Sequence, residues 1–286
     1  LNKVDQRIYK MKDPFNKIPL YSPTYGQLEA MRRDLLLRNQ YFNGISKIAK
    51  INRSKLIIDV GANIGYYSRA CSKYTKGLQI IGIEPDLKNL AYCSMNLRDR
   101  NDISLFQMGL GEDFGRFNVS IPNYAKKRLG ESKYNTGLLS AIGNETKEGI
   151  RFFKLDEFCK FMRIEFRDIS WIKIDVEGFE LKVLRGMEEL LKNSICPIEI
   201  ELNCRALNLS NTKFNDLLQI FEKFDYYPLR NKDIDVDIEI PSLKVMDLVF
   251  VKTEIKDIAK STLNLVDFSS AEISNWNCAF DKEYIY

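Results

Sequence analysis

The chain has 286 residues, 45% of them hydrophobic and 29% charged, so it reads as an ordinary soluble globular protein. It is long enough for one sizeable domain with additions, or for two small ones. Histidine is absent and the net charge is only +4, which excludes a Ser-His-Asp triad and a His-ligated zinc site. Any general base must be a carboxylate, a lysine, a tyrosine or water. Any metal would need oxygen ligands, which favours magnesium, calcium or manganese. The positive charge is diffuse, with short clusters at Lys126–Arg128 and Arg32–Arg33. No long basic stripe marks a nucleic-acid partner, so none is expected.

No apolar run is long enough to span a bilayer. The first fifteen residues lack the apolar stretch of a signal peptide, and the cytoplasm is the expected compartment. Cys71, Cys93, Cys159, Cys196, Cys204 and Cys278 are scattered, as buried free thiols would be.

Residues 1–50 are expected to form a helical extension. Ser22 is a candidate N-cap with Pro23 at the first helical position. Leu28, Met31, Leu35 and Leu36 then share a face. A second helix is expected over about Gln40 to Lys50. From Lys55 the pattern changes to short continuous apolar runs of the kind buried on both faces of a parallel sheet. These are "LIIDV", "LQIIGIE", "ISLFQM", "SWIKID" and "PIEIEL". Helical stretches separate them, one with Leu87, Leu90 and Ala91 on its core face and one with Leu181, Val183, Leu184, Met187 and Leu191. A further helix near Ser210–Phe224 precedes "YYPL" and "DLVFVK", which suggest a closing hairpin. The pattern predicts an α/β fold with a seven-stranded, mostly parallel sheet and one antiparallel strand. The expected organisation is an extension over 1–50, a ligand-binding domain over 51–253 and an appendix over 254–286. The acids of Asp233–Glu239 alternate as on an exposed edge strand. A calcium loop would need glycine and glutamate where Ile238 and Lys244 stand.

The stretch "DVGANIG" carries the first functional signal. Asp59 closes a strand at the edge where open α/β sheets bind ligands. Gly61 permits a tight turn and close ligand approach, and Gly65 close packing of the next helix. Asn63 tolerates a left-handed backbone, but its side chain would crowd a pyrophosphate. "IGIEP" follows, with Glu84 and Pro85 ending the second strand about 20 residues on, where an acid accepts from ribose hydroxyls. A nucleoside without a pyrophosphate but with a reactive group suggests S-adenosylmethionine.

"IIDVGANIGYYS", "IGIEPDLKNLAYCSMNL", "LDEF", "WIKIDVEGFELKVLRGMEELLK" and "PIEIELN" occur in the order seen in the FkbM methyltransferase family. The chain resembles that family over roughly Ser54 to Lys252. The resemblance implies a class I S-adenosylmethionine-dependent methyltransferase with a Rossmann-like sheet. Such enzymes typically act on a hydroxyl of a sugar or secondary metabolite.

Asp175 closes the "WIKID" strand beside the cofactor loop and is a candidate for both cofactor binding and catalysis. Glu177 lies in the turn that follows, as a catalytic acid or as a cap of the next helix. In "PIEIELN", Glu199, Glu201 and Asn203 share one strand face. Glu201 matches the acid that the family places there, while Glu199 is expected to pair with a lysine or arginine. Asn203 is expected to open into the cleft and meet substrate. Asn135, in an Asn-x-Gly element that the family shares, is a second substrate candidate. Asp175 and Glu201 should end adjacent strands, where a magnesium ion would relieve their repulsion. The alternative is neutralisation by Lys173. The expected activity is O-methylation of a carbohydrate, glycolipid or glycosylated metabolite, with a small molecule or glycan as acceptor. An RNA ribose methyltransferase and a non-catalytic module on the same fold stay open beside it.

Overall fold

The computed structural model describes residues 8–117, 119–120, 140–141, 149–231 and 245–269. The described residues open not with a helix but with an antiparallel hairpin of β1 (Tyr9–Lys12) and β2 (Pro19–Ser22). Helices α1 (Tyr25–Leu37) and α2 (Asn39–Asn52) follow. Thr24 caps α1: its hydroxyl accepts from the Gln27 N–H, whereas the Ser22 hydroxyl accepts from the Thr24 N–H.

The expected strand–helix alternation then begins. It runs β3 (Leu56–Val60), α3 (Tyr66–Tyr74), β4 (Gln79–Ile83), α4 (Leu87–Leu97) and β5 (Ile103–Phe106). Short strands β6 (Gly109–Leu110), β7 (Gly115–Phe117), β8 (Val119–Ser120), β9 (Ser140–Ala141) and β10 (Ile150–Phe153) fill the next connection. β6, β10 and β7 form a small separate sheet, and β8 pairs with β9. After α5 (Leu155–Met162) come β11 (Ile169–Ile174), α6 (Glu180–Arg185), α7 (Glu188–Asn193) and β12 (Ile198–Asn203). The chain then forms α8 (Cys204–Leu209), α9 (Phe214–Lys223), β13 (Tyr226–Asn231), β14 (Val245–Lys252), α10 (Lys256–Leu263) and β15 (Leu265–Asp267).

The main sheet has the order β15-β13-β14-β12-β11-β3-β4-β5. The run from β12 to β5 is parallel, and β14 is antiparallel to both its neighbours. The seven expected strands are all present. The eighth, β15, pairs antiparallel with β13 and comes from the segment set apart as an appendix. Residues 270–286 and Asp233–Glu239 lie outside the described residues, as does Cys278.

Both faces of the sheet are covered, which explains the unbroken apolar runs. On one face Ile58, Ile83, Ile172, Ile200 and Phe250 pack against α5, α6, α7 and α9. On the other, Ile57, Ile80, Trp171 and Val249 pack against α1, α2, α3 and α10. Leu36 is 40% exposed and drops out of the face expected for α1. The face expected for α4 is also different. Leu87 is 65% exposed, and the helix instead buries Asn89, Cys93, Asn96 and Leu97. Its buried asparagines make specific hydrogen bonds that an apolar pattern does not signal. No described helix is long and apolar enough to cross a membrane.

Candidate active site

The carboxyl ends of β3, β4, β11 and β12 meet at one edge. The turn after β3 begins with Gly61, whose N–H donates to Ile83 O at 2.9 Å; Ala62 N–H donates to the same carbonyl at 3.0 Å. Gly61 has φ +86, and a Cβ there would collide with the Asp175 carbonyl. The turn after β3 and the turn after β11 therefore pack backbone to backbone, which only glycine permits. Asn63 adopts the expected left-handed conformation at φ 51.

Glu84 closes β4 and gathers the loop. It accepts from Asn63 N–H at 2.8 Å, Asp86 N–H at 2.9 Å and Asn89 Nδ2 at 3.3 Å. Burial pushes its carboxyl up to about 7 against those bonds. Pro85 follows, half-buried. Asp59 sits one residue inside the end of β3 and is buried. It accepts from Ser68 Oγ at 2.5 Å, so it ties the strand to α3. An acid on each of two adjacent strand ends, with a glycine turn between them, suits a nucleoside ligand without a pyrophosphate.

The second half of the site is acidic. Asp175, Glu177 and Glu201 each place a carboxylate oxygen within 4.8 Å of the others. Burial pushes Asp175 up to about 7, with Lys173 working against it. Burial, and then Asp175, hold Glu177 and Glu201 well above the usual carboxylate range. Glu177 does not cap α6. It lies at φ 51 and accepts from Asn203 Nδ2 at 2.9 Å. Glu180 Oε1 instead accepts from Gly178 N–H in that turn.

Residues 59–228 match the model of the methyltransferase FkbM domain. The chain belongs to the FkbM methyltransferase family. The 2-O-methyltransferase NoeI of Sinorhizobium fredii is 21% identical over 198 residues, which is 66% of this chain and 80% of that protein. A solved FkbM methyltransferase from Methylobacillus flagellatus is 23% identical with a TM-score of 0.42. That match covers 69% of this chain and 43% of the other. An O-methyltransferase from Bacillus cereus in complex with SAH is 12% identical, with a TM-score of 0.41 over 80% of this chain and 92% of that one. As a member of that family the chain is an S-adenosylmethionine-dependent methyltransferase, and its fold is α/β with a mostly parallel central sheet.

Most residues singled out in the FkbM motifs come together. Asp59, Gly61, Asn63, Gly65, Glu84 and Pro85 surround one turn, and Asp175, Glu177 and Glu201 another beside it. Asn203 does not open into the cleft. It is buried, donating to Glu177 and accepting from Ala206 N–H at 3.3 Å. Asn135 lies outside the described residues. Glu199 pairs with Arg38 at 3.0 Å, as expected, and also accepts from Tyr67 and Trp171.

Two site residues carried no signal of their own. Asp247 on β14 stands opposite Glu201 and holds Lys173 Nζ at 3.1 Å and Arg38 Nη2 at 3.3 Å. Only the strand register reveals it. Arg38, between α1 and α2, has no motif at all. Lys173 lies between the acids, 4.0 Å from Asp175. Burial works against its charge, but Asp247 and Asp175 outweigh that and raise its pKa.

Proposed function

We propose that this chain is an O-methyltransferase that acts on a hydroxyl of a carbohydrate, glycolipid or glycosylated secondary metabolite. The observation that carries the reading is the group Asp175, Glu177 and Glu201, half-buried at its two strand ends, beside the glycine turn. A histidine-free site needs another proton acceptor for an alcohol, and this group supplies it. The 2-O-methyltransferase activity in the name of the relative NoeI supports an oxygen acceptor.

The chemistry that S-adenosylmethionine supplies when bound is a methyl carbon on a good leaving group. The chain's residues do the rest. Glu84 meets the ribose hydroxyls, and Gly61 and Asn63 shape the turn around the ligand. Asp175 reaches both the cofactor and the acceptor. One of Asp175, Glu177 and Glu201 takes the proton from the acceptor hydroxyl as the new bond forms. Alignment of the acceptor oxygen with the methyl carbon supplies a large share of the rate.

Asp175 and Glu201 are also the residues that would hold a magnesium ion. Their oxygen-only donors suit it, and its chemistry there would be to lower the pKa of a bound hydroxyl. Activity should then be lost in EDTA and return with magnesium. Full turnover of dialysed enzyme in EDTA would leave Lys173 and Arg38 as counter-charges and a carboxylate as the base.

The acceptor class is tested by incubating the chain with methyl-labelled cofactor and separate pools of glycans and RNA. Label should enter the glycan pool. Label entering RNA alone would overturn the carbohydrate reading.

A further inference from the structure

We propose that the N-terminal hairpin buttresses the cofactor loop, with Asn96 as the positioning residue that couples the two. The inference rests on the reading of the glycine turn as the cofactor site. Asn96 lies near the end of α4 and is completely buried. Its Oδ1 accepts from the Tyr21 N–H at 2.7 Å. Its Nδ2 donates to the Tyr21 carbonyl at 2.9 Å and to the Ile64 carbonyl at 2.8 Å. Tyr21 is on β2; Ile64 stands between Asn63 and Gly65 in the cofactor turn. One side-chain amide thus treats β2 as a neighbouring strand would, and holds the cofactor turn with its other N–H.

Two further ties run the same way. Gln27 Nε2 on α1 donates to Asn63 Oδ1 at 3.4 Å. Arg69 on α3, one turn beyond the loop, is fully buried. It donates to Asp13 in the hairpin turn at 2.7 Å, to Asp99 at 2.7 Å and to the Asn96 carbonyl at 2.6 Å. Contacts from residues 13, 21 and 27 therefore converge on residues 63–69. Displacing the hairpin would strand buried donors and acceptors on the loop side, and displacing the loop would do the same to the hairpin. A ligand that orders the loop must then favour the docked hairpin, because coupling between two sites is reciprocal.

Hydrogen exchange on the full chain tests this, with S-adenosylhomocysteine as the probe. At saturation the probe should slow exchange in the peptides that carry Gly61–Tyr66 and Pro19–Ser22, and slow the distant edge strand Leu265–Asp267 less. Asn96→Asp keeps the acceptor and removes both N–H donors. It should weaken probe affinity about tenfold, the scale of a lost net hydrogen bond. It should raise the KM for the cofactor while kcat at saturation holds, and abolish the slowing over Pro19–Ser22. If that variant does not fold, the wild-type exchange pattern decides alone. Slowing of the loop without the hairpin overturns the proposal, as does Asn96→Asp with unchanged affinity. Slowing of neither segment, with no heat of binding, overturns the cofactor reading and the proposal falls with it.

Discussion

Asp59 shows how a single buried acid couples the site to pH. Burial pushes its carboxyl from 3.8 up to about 6, against the Ser68 hydrogen bond and Lys173. The folded chain therefore binds this proton more tightly than the unfolded chain does. The contribution to stability is complete below the unfolded value and is lost as pH rises through about 6. Asp59→Asn cannot ionise. Its urea midpoint should fall less than that of the wild type between about pH 4 and about pH 7. The gap should reach about 3 kcal/mol, from roughly 1.4 kcal/mol for each pKa unit. Parallel decline of the two proteins would show that Asp59 does not carry this proton.

At the scale of elements, β3, β4, β11 and β12 were legible because burial on both faces leaves unbroken apolar runs. The hairpin β1–β2 was not. Its strands have four residues each, β1 alternates lysine with apolar side chains, and one edge is completed by a side chain rather than a strand. The core face of α4 was hidden for a related reason, since Asn89 and Asn96 stand where a periodic pattern seeks leucine. The turn after β3 was legible in full, and the reason for Gly61 is now visible. It touches the turn after β11, so the two turns share one backbone contact. Gly61→Ala must push that contact apart. It should cost about 1–3 kcal/mol in urea denaturation, the usual range for overpacking. It should also weaken cofactor binding, which calorimetry reads. Wild-type stability and affinity in that variant would mean that the turns adjust freely.

For the whole molecule, the site is assembled from distant stretches at one edge of the sheet. The glycine turn comes from residues 59–65, the acid group from residues 175–201, and Asp247 from the antiparallel strand between β12 and β13. Arg38, between the first two helices, reaches across to Glu199 and Asp247. That explains why the acids of the motifs and Lys173 were legible but Arg38 and Asp247 were not. Motif residues follow a strand end, whereas Arg38 and Asp247 join them only through tertiary packing. The claim at the centre of this arrangement is that Glu201, beside the turn, serves chemistry rather than cofactor affinity. Glu201→Gln tests it most directly, because it keeps the shape and removes the carboxyl that could take the proton. The measurement is single-turnover methyl transfer, at saturating cofactor, to the acceptor pool that takes label. The rate should fall about 100-fold or more, the lower end of the range for a general base, with cofactor affinity unchanged. Transfer within about threefold of the wild-type rate, well short of that range, would contradict the account.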